Sequence, residues 1–244
     1  MTTVSIQAAG LDRSYLRVVP DGYDPLAPIP VVFLWHGNTW TGTSLRGVSQ
    51  ALESAFGEPA IFVYANGLNV AGLPVEAAGG VSGTGWDWRP AERDVALFDA
   101  ILSELEQQFC IDTSRVLSFG RSHGAFFANA LACARGDVLK KTAVVSGGFP
   151  GTVVGDACAA SSMPIWIAHN SGDSVVNVSF AQQARDHWVA RNGCDNTTTN
   201  VPPAPCGAFE GCASAGVTYC EATANSHDPP PFALEAAGIF LASP

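Results

Sequence analysis

Along this chain, short unbroken apolar runs alternate with longer stretches of helical period. Val31-Val32-Phe33-Leu34-Trp35 is continuous, as expected of a parallel strand covered on both faces. Runs at 60–65, 116–119, 142–146 and 164–168 predict four more strands, with an early one at 14–19 and a late one at 217–221. Between them, 44–56 places Leu45, Val48, Leu52 and Phe56 three or four residues apart. Residues 94–109 carry Val95, Leu97, Phe98, Ile101, Leu102, Leu105 and Phe109 on one broad face. Residues 125–133, 179–191 and about 231–241 read as further helices. Strands alternating with helices imply the α/β class, with a mostly parallel sheet sandwiched between helices. No repeat or linker divides residues 1–244, so one domain is expected. Two segments lack periodicity. The prolines at 25, 28 and 30 mark a loop, and 66–90 is glycine-rich, carrying Trp86-Asp87-Trp88. Loops of that length in compact domains are usually functional.

The run at 116–119 empties into Gly120-Arg121-Ser122-His123-Gly124, and a helix pattern follows at once. Strand, G-x-S-x-G, helix is the context of a nucleophile elbow: the chain reverses so sharply that side chains two residues either way would collide, and the serine hydroxyl is pushed outward. A serine needs a base, and the base needs an orienting carboxylate. Three histidines lie beyond the elbow. His187 falls inside a helix pattern, and His169 sits at a strand end too close to the acid candidate. His227 occupies a loop between the last strand and last helix, where it can swing over Ser122. Asp173 follows the carboxyl end of the strand at 164–168, where sites in parallel sheets lie, and is the expected acid. The backbone N–H groups of His123 and of Asn38, in the loop after the first buried strand, are expected to form the oxyanion hole. His36 is expected to be structural, its ring satisfied beneath that loop.

Charge narrows the partners. The net charge is −10, with twelve basic residues, none in a run, which argues against nucleic acid and anionic membrane surfaces. No apolar run approaches a membrane span. Four of the seven cysteines, Cys194, Cys206, Cys212 and Cys220, share one Gly/Pro/Thr-rich stretch. Their spacing is not C-x-x-C and no histidine interleaves, so disulfides are expected rather than zinc, and with them an exported protein. The pairing stays open, and the odd count leaves at least one thiol. Met1-Thr2-Thr3-Val4 does not read as a signal peptide, so an exported protein would have lost its leader.

Taken jointly, several motifs resemble the secreted feruloyl esterase and polyhydroxybutyrate depolymerase group of α/β-hydrolases, within carbohydrate esterase family 1. They are Arg13-Ser14-Tyr15-Leu16 with Pro20 to Asp24, the strand ending in His36-Gly37, Val63-Tyr64-Ala65-Asn66-Gly67 and Gly85-Trp86-Asp87-Trp88. Cys110-Ile111-Asp112, His169-Asn170-Ser171-Gly172-Asp173 and Ala190-Arg191-Asn192-Gly193-Cys194 complete the set. The resemblance implies an α/β-hydrolase-fold ester hydrolase using Ser122, Asp173 and His227, with no metal or organic cofactor. Its substrate would be a small or oligomeric ester, first a plant cell-wall hydroxycinnamate. Hydroxybutyrate depolymerase and acetyl esterase are the alternatives, and an acyltransferase or a non-catalytic binding module the readings from other classes. Trp40 and Trp86 are expected as aromatic walls for a phenolic acyl group, with Trp88 in the core. Four positions depart from the group's pattern. His123 is bulky where relatives commonly carry a small residue, and Ala125 replaces a second glycine. Arg121 and Asp228 stand where some fungal members have a disulfide flanking the serine and the histidine.

Overall fold

The computed structural model describes residues 1–151, 158 and 162–244. The chain opens with strands β1 (Thr2–Ala8), β2 (Leu11–Val18) and β3 (Ile29–Trp35), then helices α1 (Gly42–Val48) and α2 (Gln50–Phe56) and strand β4 (Ile61–Ala65). The expected long loop holds three short elements, β5 (Leu68–Asn69), α3 (Val75–Ala78) and β6 (Thr84–Gly85). Helix α4 (Arg93–Gln108), strand β7 (Ile111–Arg121), helix α5 (His123–Ala134) and strand β8 (Leu139–Val145) follow. The chain continues through β9 (Ile165–Asn170), α6 (Val178–Asn192), β10 (Thr198–Asn200), β11 (Cys206–Phe209), β12 (Val217–Ala222) and α7 (Ala233–Ala242).

Ten strands form one sheet in the order β1-β2-β4-β3-β7-β8-β9-β12-β11-β10. The central six, β4 to β12, pair in parallel, and antiparallel strands extend the sheet at both margins. On β3 the alternation of the pleat is explicit. Val31, Phe33 and Trp35 enter a core shared with α4, α5 and α6, whereas Val32 and Leu34 enter a second core under α1, α2 and α7. A strand buried on both faces has no polar side to alternate with, hence its continuous apolar sequence. The chain leaves β3 to one side for β4 and later enters β7 on the other. The switch point therefore lies between the carboxyl ends of β3 and β7, where α/β sheets bind ligands.

Three local findings differ from the sequence reading. The helix expected over 44–56 is two helices meeting at Ser49, whose hydroxyl donates to the Leu45 carbonyl at 2.8 Å; such back-bonding competes with the helical ladder and bends it. The exposed strand β1 pairs with β2 and extends the sheet margin. In the cysteine-rich stretch, β10 and β11 add a second margin, and the disulfides are Cys194–Cys212, Cys206–Cys220 and Cys133–Cys158. Cys110 is the free thiol. No helix among the described residues is long and apolar enough to cross a membrane.

Candidate active site

The G-x-S-x-G turn joins β7 to α5, and its glycines are required by contact. A Cβ at Gly120 would collide with the Gly124 carbonyl, and one at Gly124 with the Trp35 carbonyl of β3. Between them Ser122 has φ 54° and ψ −123°, a strained backbone held because the surrounding strands leave no alternative. Gly37, two residues beyond β3, approaches so closely that a Cβ there would lie 3.2 Å from the Ser122 Cβ.

The structure brings Ser122, His227 and Asp173 together. The Ser122 hydroxyl lies 2.8 Å from His227 Nε2, and His227 Nδ1 lies 2.7 Å from Asp173 Oδ2. With Nδ1–H donating to the carboxylate, Nε2 is left as the acceptor for the hydroxyl proton. Asp173 is buried and also accepts the N–H groups of Val175 and Val176 at 2.8 and 3.0 Å. Burial pulls its pKa upward, but the His227 contact and the two amides outweigh it, so the carboxyl titrates below its ordinary value. His169 lies on the same carboxylate, 3.3 Å from Oδ2, with Nε2 2.9 Å from the Val176 carbonyl. The histidine hydrogen-bonded to Ser122 is His227.

The His227 loop is held from two sides. Asn170, at the end of β9, donates through Nδ2 to the carbonyls of Ser226 and Asp228 at 3.0 and 2.8 Å, one on each side of the histidine. Arg121 reaches Asp228 at 3.1 Å and lies over the Trp40 ring at 4.3 Å. The residues flanking Ser122 and His227 thus form an ion pair. In the sequence Arg121 and Asp228 stand out only as departures from the group's pattern, and Asn170 only as part of a motif. The flanking positions were the available signal.

His123 opens α5, where a helix's first N–H groups have no intrahelical acceptor. Asn38 follows Gly37 in the first loop, its side chain donating to the Ser82 and Thr84 carbonyls at 2.9 and 3.2 Å. His36 is fully buried: Nδ1–H donates to the Gly37 carbonyl at 2.7 Å, and Nε2 accepts the Gly67 N–H at 2.9 Å. Desolvation lowers both His36 and His123 to a pKa of about 4. At the base of the long loop, Arg13 and Asp94 form a fully buried ion pair at 2.6 Å, and Asp94 also accepts the Asp87 N–H at 2.7 Å.

Ser122 lies between two depressions. The larger, about 420 Å³, is walled by Trp88, Phe126, Phe149 and Phe180, with Glu76 and Gln183 among its polar lining. The smaller, about 200 Å³, is lined by Trp40, Arg121, Val175 and His227 with the Gly37-Asn38 loop. Trp40, expected as a wall for the acyl group, lines the smaller depression and not the larger one. Trp86 lines neither: it is fully buried, its indole N–H donates to the His36 carbonyl at 2.8 Å, and its ring packs on Trp35 and Phe127. The expected wall residue is a core residue, and Trp88, expected in the core, is buried there and also lines the larger cavity.

No family model matches the chain. Feruloyl esterase D of Neurospora crassa is 30% identical over 231 residues, covering 86% of this chain and 72% of the relative. Feruloyl esterase C of Emericella nidulans is 30% identical over 215 residues, covering 82% and 71%. Among solved structures, an acetyl xylan esterase from Aspergillus awamori superimposes with a TM-score of 0.74 at 15% identity, covering 99% of this chain and 100% of the other. A ferulic acid esterase from Anaeromyces mucronatus, solved in complex with ferulic acid, does so at 0.67 and 16% identity, covering 98% and 89%. The architecture is that of the α/β-hydrolase-fold esterases.

Proposed function

This chain belongs to the feruloyl esterase family, and from that premise we propose that it is a carboxylic ester hydrolase that releases hydroxycinnamic acids through Ser122, His227 and Asp173. The observation that carries the reading is the strained serine, already hydrogen-bonded to a histidine–carboxylate pair, at the mouth of an aromatic cavity of about 420 Å³. A cavity of that size and lining suits a phenylpropenoyl group and far exceeds what an acetyl group fills.

The reaction runs in two halves. His227 Nε2 takes the Ser122 proton as the serine oxygen attacks the ester carbonyl, and the carbonyl oxygen becomes an oxyanion held by the His123 and Asn38 N–H groups. The imidazolium, stabilised by Asp173, returns its proton to the alcohol oxygen as that C–O bond breaks, leaving the acyl group on Ser122. Water, deprotonated by His227, then attacks the acyl-enzyme, and the proton returns to the serine as the free acid leaves. The acyl group occupies the larger cavity and the alcohol the smaller, beside Trp40 and Arg121. Each oxyanion donor is worth about a hundred- to a thousandfold in rate. Both are backbone groups, so Asn38→Ala is expected to be mild.

Residues 1–244 serve as one catalytic domain in this reading, and the three disulfides support a protein that works in an oxidising, extracellular setting. The test is hydrolysis of methyl ferulate, p-nitrophenyl acetate and hydroxybutyrate oligomers side by side. The reading expects a higher kcat/KM on the ferulate than on the oligomers. Cleavage of the acetate with none of the ferulate would leave an esterase but remove the hydroxycinnamate assignment.

A further inference from the structure

The His123 side chain takes no part in the proton relay, and its oxyanion role belongs to its backbone. Yet the ring is 5% exposed and both its nitrogens are committed. Nδ1 accepts the Trp86 N–H at 3.2 Å, and Nε2–H donates to the Ala78 carbonyl at 3.0 Å. These partners lie at opposite ends of one segment, on either side of the turn from α3 into β6. Trp88 packs on the imidazole with ring centroids 4.8 Å apart, and the Trp88 ring in turn stacks on Phe126 at 4.9 Å. Even Gly85 is fitted to the ring: a Cβ there would lie 2.9 Å from Cε1 and 3.0 Å from Nδ1.

That segment forms one wall of the larger cavity, through Val75, Ala78, Gly79, Val81 and Trp88. The wall has hydrogen bonds of its own, among them Gly79 N–H to the Val75 carbonyl at 2.6 Å and Trp88 N–H to the Ala77 carbonyl at 2.8 Å, but these tie the segment to itself and leave its place over the cavity to be set from outside. It needs fixed points on the rigid scaffold, and the residue directly after the nucleophile supplies two with one side chain. A small residue at this position would leave the Trp86 N–H and the Ala78 carbonyl without those partners.

We propose that the His123 imidazole is a positioning residue that sets acyl selectivity, by fastening the cavity wall to the nucleophile elbow. The inference rests on the assignment of the larger cavity to the acyl group. A side chain that positions this wall affects substrates that fill the cavity more than those that do not.

The test compares methyl ferulate with p-nitrophenyl acetate in wild type, His123→Ala and His123→Asn, the last retaining an amide oxygen near the Nδ1 position. For His123→Ala, KM for the ferulate is expected to rise about tenfold, and the ferulate-to-acetate ratio of kcat/KM to fall by a similar factor. His123→Asn is expected to lie between the two and serves alone if the alanine variant does not fold. Equal loss on both substrates, or an unchanged ferulate-to-acetate ratio, would overturn the proposal while leaving the esterase reading intact. Absence of wild-type activity on the ferulate would overturn the proposal together with the hydroxycinnamate assignment on which it rests.

Discussion

Asn170 tests whether the histidine loop is held by the sheet or merely rests there. The side chain is 2% exposed, and its Nδ2 donates to the carbonyls that flank His227, at 3.0 and 2.8 Å. Its Oδ1 has no hydrogen-bond partner among the described residues. In Asn170→Ala, two carbonyls lose a donor, and each buried hydrogen bond is worth about 0.5–1.5 kcal/mol net. Removing the unpaired Oδ1 returns part of that, so the expected loss of stability is about 1–2 kcal/mol. The kinetic effect should be larger. A displacement of about 1 Å in a catalytic group costs about a hundredfold in rate, and the carbonyls on either side of His227 lose the Asn170 donor at once. Asn170→Asp is the sharper variant, because a carboxylate oxygen would face two carbonyl oxygens. The assay is kcat on p-nitrophenyl acetate, which leaves the larger cavity nearly empty, alongside urea unfolding. The expected order is wild type, then Asn170→Ala down about ten- to a hundredfold, then Asn170→Asp lower still. Wild-type kcat in both variants would refute the claim that this contact positions the base.

Two further predictions concern stability. His36 and His123 titrate at about 4 in the folded protein against about 6.5 when unfolded. Between those values the unfolded chain binds more protons, so their contribution to stability is complete above pH 6.5. It is lost on acidification towards pH 4, at about 1.4 kcal/mol per pH unit for each histidine. The urea midpoint is expected to be clearly lower at pH 5 than at pH 7.5, and equal midpoints would contradict the buried neutral rings. Asp94→Ala would strand the buried Arg13 guanidinium and the Asp87 N–H, at a cost of about 3–5 kcal/mol. A melting temperature lowered by roughly 10 °C is expected for a chain of this size, and a change under 2 °C would contradict it.

How much of this was legible in the sequence depended on whether the signal was local. The elbow was, because strand, glycines, serine and helix are contiguous and each glycine is fixed by a collision its neighbours impose. The buried parallel strands were, because burial on both faces leaves an uninterrupted apolar run. The break at Ser49 was not, since Leu45, Leu52 and Phe56 all reach the same core and the apolar period continues across it. The marginal strands β1 and β10 are largely exposed and carry little hydrophobic pattern to read. Trp86 reads as a wall residue yet is core, because an irregular loop has no period to say which ring turns inward. The cavity itself was illegible for a related reason. Phe126, Phe149 and Phe180 converge on it from separate stretches of chain, and Phe126 reads locally as part of an apolar helix.

The central claim is that Ser122 carries the acyl group between the two half-reactions. The most direct measurement is rapid quenching of wild type and Ser122→Ala during turnover of a p-nitrophenyl hydroxycinnamate, followed by peptide mass spectrometry. The account predicts a burst of at most one p-nitrophenolate per chain and a feruloyl-sized mass increment on the peptide containing Ser122, with neither in Ser122→Ala. Turnover by Ser122→Ala at the wild-type rate, or an acyl group found on another residue, would contradict it.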